Sequence, residues 1–497
     1  MQIEFLESKD GSKTFSADGV FFHSSYSPVK EAQRFVQGCS FPINPKIIFF
    51  LEPGLSYCKE QLKEKYPDCL LVCIRFFDYK FDDENQWDSI IRFKELSQPA
   101  LYFVENFGEE ALLSSVFLIW KPAEGLFQKE INLFINEYKK ALQNAKTLLV
   151  TRQFFEKKWL LNSCNFIKYG KNFIQADIKT QLPILVCASG PSLMPCLDII
   201  KKERSKVFLL CLSSALSVLL TNDIKPDLIL TTDGGYWAGQ HLKALCKYPD
   251  LALAAPCEAF IPKTILKKNP ILSLAYDDQS SFICKEIIEA AGLKSMQALR
   301  NPTVSGTGLF LAKSLTKNKI FFCGLDLAAD KGFQHSQPNE LEKNNSLFES
   351  RLISKEKRNN SSRFNSSSLE IYRSWFSSLT KDQVENVFRV MENQSNKALG
   401  NIKDISCQDF SKLLKQSQLE EKNQTKSFFS LKAESVNKCL QTIINKVPEE
   451  KWSHQIFPAD YISIQNSSSQ EENQAAINRL NKKLEELLNK IRKIADE

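Results

Sequence analysis

The sequence predicts an α/β protein: a Rossmann-like N-terminal domain, a central doubly wound and mostly parallel sheet, and a helical C-terminal region. Short apolar runs typical of buried strands alternate with helical stretches through about the first 400 residues, as expected of parallel sheets. Farther along, apolar residues recur at helical spacing instead. A chain of 497 residues has room for two or three domains. We divide it into residues 1–150, 155–400 and 401–497.

The N-terminal domain is predicted from two apolar strands at 46–51 and 69–76, which flank a turn at 52–55 and a helix at 56–65. This alternation is a βαβ unit. The turn contains a single glycine, Gly54, and one glycine is a weak phosphate-binding signal. We therefore expect this domain to bind no nucleotide.

The central domain is predicted to hold strands at 184–186, 207–212, 228–231, 251–255, 271–274 and 320–323. Ligands bind beyond the carboxyl ends of the strands in such sheets. Residues 339–369 are rich in Asn, Ser and charge, which is typical of either a mobile lid or a disordered insertion.

The most informative segment is ILVCASGPSL at 184–193, where an apolar strand runs into a turn of small residues and then a helix. Gly190 lets a bound group approach the backbone, whereas a side chain there would block it and oppose the local dihedral angles. Pro191 suits the first helical turn, and Ser192 offers a hydroxyl. Free N–H groups at a helix start favour an anion such as a phosphate. The competing interpretation is an ordinary strand-to-helix turn.

Further polar or small residues follow other strands of the same sheet. They are Ser213 and Ser214, Asp233, the helix-initiating Ser305, Gly306 and Thr307, and Asp326. Asp233 either contacts a ligand or caps the segment after its strand, whereas Asp227, beside Pro226, is typical of a turn. His335 lies in a polar loop, where a catalytic imidazole is a reasonable hypothesis.

Composition excludes several classes of protein. A net charge of +7 spread over 65 basic and 58 acidic residues is too dilute for nucleic-acid binding but suits a small anionic substrate. Four histidines and no Cys/His spacing of ligand type argue against a metal site. The chain begins without an apolar leader and contains no apolar run of about 18 residues. We expect a cytoplasmic protein without membrane insertion.

The pairing of ILVCASGPSL with TVSGTGLFLAKSLTKNKIFFCGLDLA at 303–328, with Asp227 and Asp233 between them, resembles the motility-associated factor (Maf) family of flagellin glycosyltransferases. More distantly, it is similar to bacterial sialyltransferases that use CMP-activated nonulosonic acids. The resemblance extends to about residue 415. It implies that Ser189, Gly190, Pro191 and Ser192 hold the donor nucleotide, with Ser213 and Ser214 near its sugar. It places Ser305, Gly306 and Thr307 near the phosphate or the transferred sugar.

The same resemblance implies an activity. His335, Asp326 and Asp233 become the catalytic candidates of an inverting, metal-independent glycosyltransferase that needs no cofactor. It would transfer a pseudaminic- or legionaminic-type nonulosonic acid from its CMP derivative to Ser or Thr of flagellin. A hydroxyl is a poor nucleophile, and an imidazole with a pKa near 6.5 can accept its proton.

Two alternatives stay open. One is a pterin-type pyrophosphokinase of the same domain architecture, with Mg²⁺ held by carboxylates such as Asp227 and Asp233. The other is a non-enzymatic flagellar assembly partner with a relict cleft. The last helix adds an apolar face, which either packs on its own body or joins a coiled coil. Its members are Ala476, Leu480, Leu484, Leu487, Leu488, Ile491 and Ile494.

Overall fold

The computed structural model describes residues 2–82, 86–276, 282–328, 333–352, 354, 363–392, 398–416, 427–465, 467 and 469–497. The chain forms two compact units, Met1–Gln153 and Phe154–Glu497. The sequence predicts three parts, whereas in the structure the C-terminal residues belong to the same unit as the central sheet. Helix Gln128–Tyr169 runs through the expected boundary near residue 150.

The first unit contains two sheets. Strands β1 (Ile3–Glu7), β2 (Lys13–Ala17) and β3 (Val20–Phe21) are antiparallel. Strands β4 (Ile47–Leu51), β5 (Leu70–Arg75), β6 (Ser89–Arg92) and β7 (Ser115–Ile119) form a parallel sheet in the order β6-β5-β4-β7. The α-helices that lie entirely within this unit are Pro28–Gly38, Lys59–Lys65, Pro99–Phe107, Glu109–Leu113 and Lys121–Leu126. Every residue of β4 is buried, because helices cover both faces of a parallel sheet and apolar side chains suit both.

The second unit is built on one large sheet. Its strands are β8 (Asn172–Ile174), β9 (Ile184–Cys187), β10 (Phe208–Leu212), β11 (Leu228–Leu230), β12 (Leu253–Pro256), β13 (Pro270–Tyr276), β14 (Met296–Ala298), β15 (Ile320–Cys323), β16 (Val387–Val390), β17 (Lys403–Ile405) and β18 (Phe428–Phe429). The order is β17-β16-β15-β9-β10-β11-β12-β13-β8-β18, and β14 pairs with β13. Among the described strands of this sheet, only β18 pairs antiparallel, with β8 as its neighbour. The predicted α/β fold with a mostly parallel central sheet is confirmed.

Helices connect these strands. The α-helices are Leu197–Glu203, Leu216–Thr221, Tyr236–Leu242, Lys263–Lys268, Phe282–Ala291, Val304–Leu315, Glu340–Ser346, Arg363–Ser378, Cys407–Lys415, Ala433–Lys446, Glu450–Ile456, Pro458–Gln465 and Gln470–Asp496. Short 3₁₀ helices occupy Phe93–Glu95 in the first unit and Pro191–Cys196, Arg204–Lys206, Ser213–Ala215 and Lys243–Lys247 in the second. The predicted lid or insertion at 339–369 begins with helix Glu340–Ser346, and residues 353 and 355–362 lie outside the described residues.

The C-terminal region is mostly helical, as predicted, but it also adds β17 and β18 to the two edges of the large sheet. The apolar face of the last helix packs on its own body, against helices Ala433–Lys446 and Pro458–Gln465. Its buried residues include Leu480, Leu487 and Ile491. Within the described part of the chain, no helix combines the length and apolar character needed to span a bilayer.

Candidate active site

The chain reverses its direction of travel across the large sheet at β9. From β9 it proceeds through β10, β11 and β12 on one side, whereas β15, β16 and β17 lie on the other. Loops at such a switch point diverge to opposite faces of the sheet and leave a crevice beyond the strand ends. The turn after β9 and the loop after β15 therefore border the natural ligand site of this fold.

The turn after β9 is held against the end of β15. Gly190 donates its N–H to the carbonyl of Gly324 at 2.8 Å, and a Cβ on Gly190 would lie 2.3 Å from Asp326 Oδ2. The backbone of Gly190 has φ −63° and ψ 159°, which any residue adopts. The expectation of unusual dihedral angles is therefore wrong. Glycine is needed because the neighbouring strand end lies too close for a side chain.

The predicted helix after this turn begins as a 3₁₀ helix, Pro191–Cys196, and continues as an α-helix. Its first N–H groups are not free. Ser192 donates to Asp326 Oδ2 at 2.7 Å, and Leu193 donates to the carbonyl of Gly190. The prediction of an anion on free N–H groups is wrong here, because the buried carboxylate of Asp326 already takes the place of that anion. Among the residues that the structure describes, the buried Ser192 Oγ has no hydrogen-bond partner.

A loop that follows β15 closes over the turns after β9 and β10. Ser336 donates its N–H to the carbonyl of Ser189 at 2.6 Å and its hydroxyl to the carbonyl of Gly190 at 2.7 Å. Ser214 donates to Ser189 Oγ at 2.9 Å, and Asn339 Nδ2 donates to the carbonyl of Ser214 at 3.0 Å. Ser189, Ser214 and this loop thus form one hydrogen-bonded cluster. Ser213, next in the chain to Ser214, is buried beside it.

His335 lies in the same loop and is paired with a carboxylate. Its Nδ1 lies 3.2 Å from Glu342 Oε1, which also accepts the N–H groups of Gln334 and His335. Burial raises the pKa of Glu342, but these hydrogen bonds outweigh it and lower the pKa below its usual value. An ionised Glu342 accepts from Nδ1–H and leaves Nε2 of His335 as the proton acceptor, as in other His–carboxylate pairs.

A second histidine lies close to His335. Burial, followed by the charge of His335, lowers the pKa of His241 to about 4. His241 therefore stays neutral near pH 7. The sequence gives no sign that His241, Glu342 and Ser336 belong to this cluster. They come together only because the 334–342 segment folds back.

Two carboxylates flank β11 and lie at opposite ends of that strand, Asp227 at the amino end and Asp233 at the carboxyl end. Asp233 follows β11 at the carboxyl edge, is exposed, and accepts the N–H of Gly235 at 2.8 Å. Burial and the charge of Asp233 raise the pKa of Tyr372, whose helix covers this edge. Asp227 precedes β11, accepts the N–H of Leu209 and pairs with Arg204 at 2.9 Å. Asp233 thus caps its segment at the carboxyl end of β11, while Asp227 supports the amino end of that strand.

Ser305, Gly306 and Thr307 lie in the first turn of helix Val304–Leu315 rather than in a loop. All three are buried, and a Cβ on Gly306 would lie 2.8 Å from the ring of Trp375. The hydroxyl of Thr307 donates to the carbonyl of Leu299 at 3.2 Å. This turn starts near the carboxyl ends of β9, β10 and β11, because Gly308 packs against the side chains of Val186, Leu212 and Leu230. Thr307 braces the adjacent loop, and a ligand role for these three residues stays a prediction.

Comparison with known proteins agrees with this architecture. Residues 157–332 match the model of the 6-hydroxymethylpterin diphosphokinase MptE-like family. The solved Maf glycosyltransferase of Magnetospirillum magneticum AMB-1 superposes with a TM-score of 0.55 at 12% identity, covering 100% of this chain and 91% of that one. The chain has the fold of a Maf glycosyltransferase. The resemblance to Maf proteins is confirmed at the level of the fold, and the more distant likeness to sialyltransferases stays a prediction.

A relative from Treponema pallidum (strain Nichols) is 27% identical to this chain over 314 residues, which are 62% of this chain and 67% of the relative. That relative is described as an uncharacterized protein. Among the described residues, no group of three or more His, Cys, Asp and Glu side chains is arranged to hold a metal ion.

Proposed function

We propose that the protein is a Maf-type glycosyltransferase that transfers a pseudaminic- or legionaminic-type nonulosonic acid from its CMP derivative to Ser or Thr of flagellin in the cytoplasm. The observation that carries this proposal is the His335–Glu342 pair in the loop that Ser336 holds on the Ser189–Gly190 turn. A base is thereby attached to the turn at the switch point, where this fold binds ligands. The full-length likeness in fold to a Maf glycosyltransferase supports the same reaction class.

The residues of the site have separate roles in the proposed transfer. His335 Nε2 takes the proton of the flagellin Ser or Thr hydroxyl while the hydroxyl oxygen forms the bond to the anomeric carbon. The bond from that carbon to the phosphate oxygen breaks at the same time, and CMP leaves with the bonding electrons. Glu342 holds the ring and stabilises the imidazolium that forms. The hydroxyls of Ser189, Ser192 and Ser214 supply hydrogen bonds to the nucleotide. One displacement inverts the anomeric centre, and no metal or cofactor enters these steps.

A second candidate is a pterin-type pyrophosphokinase, which the family match over residues 157–332 favours. Such an enzyme transfers a pyrophosphoryl group from ATP with Mg²⁺. Mg²⁺ holds oxygen ligands at about 2.1 Å. Asp227 and Asp233 lie at opposite edges of the sheet, so they cannot share one ion. This candidate therefore needs a different pair of carboxylates from the one that the sequence suggests.

Thermal unfolding of the purified protein with CMP, CDP, UDP, or ATP with Mg²⁺ separates these functions. We expect CMP to raise the melting temperature without added metal, because a ligand at 100 times its Kd stabilises the native state by about 2.7 kcal/mol. Stabilisation by ATP with Mg²⁺ but not by CMP would favour the pyrophosphokinase. No stabilisation by any of the four would favour a non-enzymatic assembly partner.

A further inference from the structure

A buried ion pair lies at the carboxyl edge of the large sheet, apart from the histidine pair. Glu258 follows β12 and is 2% exposed. Arg300 follows β14, and its Nη1 lies 2.7 Å from Glu258 Oε1. The side chain of Arg300 is 31% exposed, against 3% for Glu258. The carboxylate is therefore buried beneath a cation that reaches the surface.

Two aromatic rings fix the direction of this cation. The guanidinium of Arg300 lies 4.4 Å from the centroid of the Tyr276 ring and 5.6 Å from that of Trp159. Cation–π contacts and an ion pair together hold an arginine in one orientation before a ligand arrives. A fixed side chain loses little conformational entropy on binding, so it binds more tightly than a free one.

The same cluster is joined to the turn that holds Asp233. Asn162 Nδ2 donates to the carbonyls of both Gly234 and Glu258. A Cβ on Gly234 would lie 2.5 Å from the ring of Trp159. Three strand spacings separate β9 from β12, or roughly 14 Å at about 4.8 Å each. An extended nucleotide bearing one sugar is long enough to bridge that distance, from the Ser189–Gly190 turn to the turn after β12, where Glu258 pairs with the guanidinium of Arg300.

We infer that Arg300 binds the carboxylate of the transferred sugar acid, an inference that rests on the proposed function. A CMP-linked nonulosonic acid carries two negative groups, the phosphate and the carboxylate on the anomeric carbon. A guanidinium stays charged at all physiological pH values and suits a planar carboxylate. A guanidinium has five N–H groups, more than a single carboxylate can accept. Arg300 thereby selects an acidic sugar over a neutral one.

The test compares CMP, CMP-N-acetylneuraminate and the methyl ester of that sugar, in which the carboxylate is neutral. Wild-type protein is expected to bind the acid about 10-fold more tightly than the ester, since the ester lacks the charge that strengthens a hydrogen bond from a guanidinium. Arg300→Gln should bind acid and ester equally and bind CMP as the wild type does. Arg204→Gln is the matched control, because Arg204 is 28% exposed and also paired with an aspartate, but at the opposite edge.

Arg300→Gln leaves Glu258 buried without its cation, which destabilises proteins. The double variant Glu258→Gln/Arg300→Gln removes both charges and should show the same lost preference with recovered thermal stability. A retained preference for the acid in either variant would overturn the inference. An equal loss of CMP binding would overturn it too, because Arg300 would then support the fold or the nucleotide. A wild-type protein that binds no CMP would instead refute the proposed function itself.

Discussion

In each of the two parallel sheets, a buried central strand is followed by a turn that contains glycine. The two turns nevertheless differ in the groups that fill and cover them. In the first unit, β4 runs into Glu52, Pro53 and Gly54. In the second, β9 is followed by Ala188 and then Ser189, Gly190 and Pro191. Both turns occupy the edge of the sheet where nucleotides bind in this class of fold.

The first turn is filled by its own side chains. Glu52 is fully buried, accepts the N–H groups of Phe76 and Phe77 at 2.6 and 2.9 Å, and pairs with the fully buried Arg75 at 2.8 Å. A Cβ on Gly54 would lie 2.4 Å from the ring of His23. The carboxylate of Glu52 thus takes N–H groups that a phosphate would otherwise use. This gives a physical reason for the expectation that the N-terminal domain binds no nucleotide.

The second turn also binds a buried carboxylate, that of Asp326 after β15, but it keeps two serine hydroxyls, those of Ser189 and Ser192, and is covered by a loop that carries His335. A strand followed by a glycine-containing turn is therefore compatible with a turn closed by its own ion pair or with one that keeps serine hydroxyls for the proposed active site. What distinguishes the two turns is the chain that folds onto each of them.

Removing the cation from the first turn should have the largest effect. Arg75→Met leaves Glu52 as a buried charge without its partner, and breaking such a pair costs about 3–5 kcal/mol. We expect the urea midpoint for unfolding of the first unit to fall accordingly. Lys94→Met is the control, because its pair with Asp78 is exposed and such pairs contribute about 0–1 kcal/mol. Equal effects of the two substitutions would show that the first turn is not closed by its ion pair.

Removing the proposed base from the second turn should affect the reaction rather than the fold. His335→Ala is expected to bind CMP almost normally and to lose roughly 100-fold or more in the rate of transfer to flagellin, the usual scale for a general base. Single-turnover assays with CMP-sugar measure this rate, and His454→Ala, which removes a ring stacked on Tyr461, is the control. Transfer at a near wild-type rate would place the base elsewhere, with Asp233 and Asp326 next to be tested.

A methyl group on Gly190 tests whether the second turn needs its close packing. Gly190→Ala should weaken CMP binding by about 10-fold or more, or about 1.4 kcal/mol, because the new Cβ displaces Asp326 and the end of β15. Gly190→Val should abolish binding. Gly125→Ala is the control, since a Cβ there meets no atom within 4 Å. Unchanged CMP titration in the Gly190 variants would remove this turn from the site.

Acid should weaken both units modestly, through the buried His23 in the first and the half-buried His241 in the second. Burial, with a contribution from Arg75, lowers the pKa of His23 to about 3, and the pKa of His241 is lowered to about 4. The unfolded chain, with pKa near 6.5, binds protons that the folded chain does not, so stability falls as pH drops below about 6.5. Each histidine contributes at most about 1.4 kcal/mol per pH unit.

Urea unfolding between pH 7 and pH 4.5 measures this slope. His23→Gln should reduce the dependence of the unfolding free energy on pH for the first unit, and His241→Gln should do so for the second. Above pH 7 neither histidine should make the unfolding free energy depend on pH. A slope that survives both substitutions would assign the acid sensitivity to carboxylates instead.

The sequence by itself determined the strands and the polar residues at their ends. Buried strands such as β4 and β9 are continuous apolar runs, and a parallel sheet brings their carboxyl ends to one edge whatever the details of packing. Ser189, Gly190, Asp233 and Asp326 could be placed at that edge for this reason. The anion site on free N–H groups was a wrong prediction, because residue types around a turn do not show which acceptor takes each N–H.

Only the tertiary structure decided the partners. Glu342 contacts His335 because a loop and the short helix Glu340–Ser346 fold back. Glu258 follows β12 and pairs with Arg300, which follows β14 and lies far from it in the chain. The structure also separates Asp227 from Asp233, which lie six positions apart in sequence but at opposite edges of the sheet. Hydrogen bonds and ion pairs act over a few ångströms, whereas sequence spacing constrains position only within one element. The strand pattern therefore predicts the edge at which a site lies, and tertiary contacts select the groups that meet there.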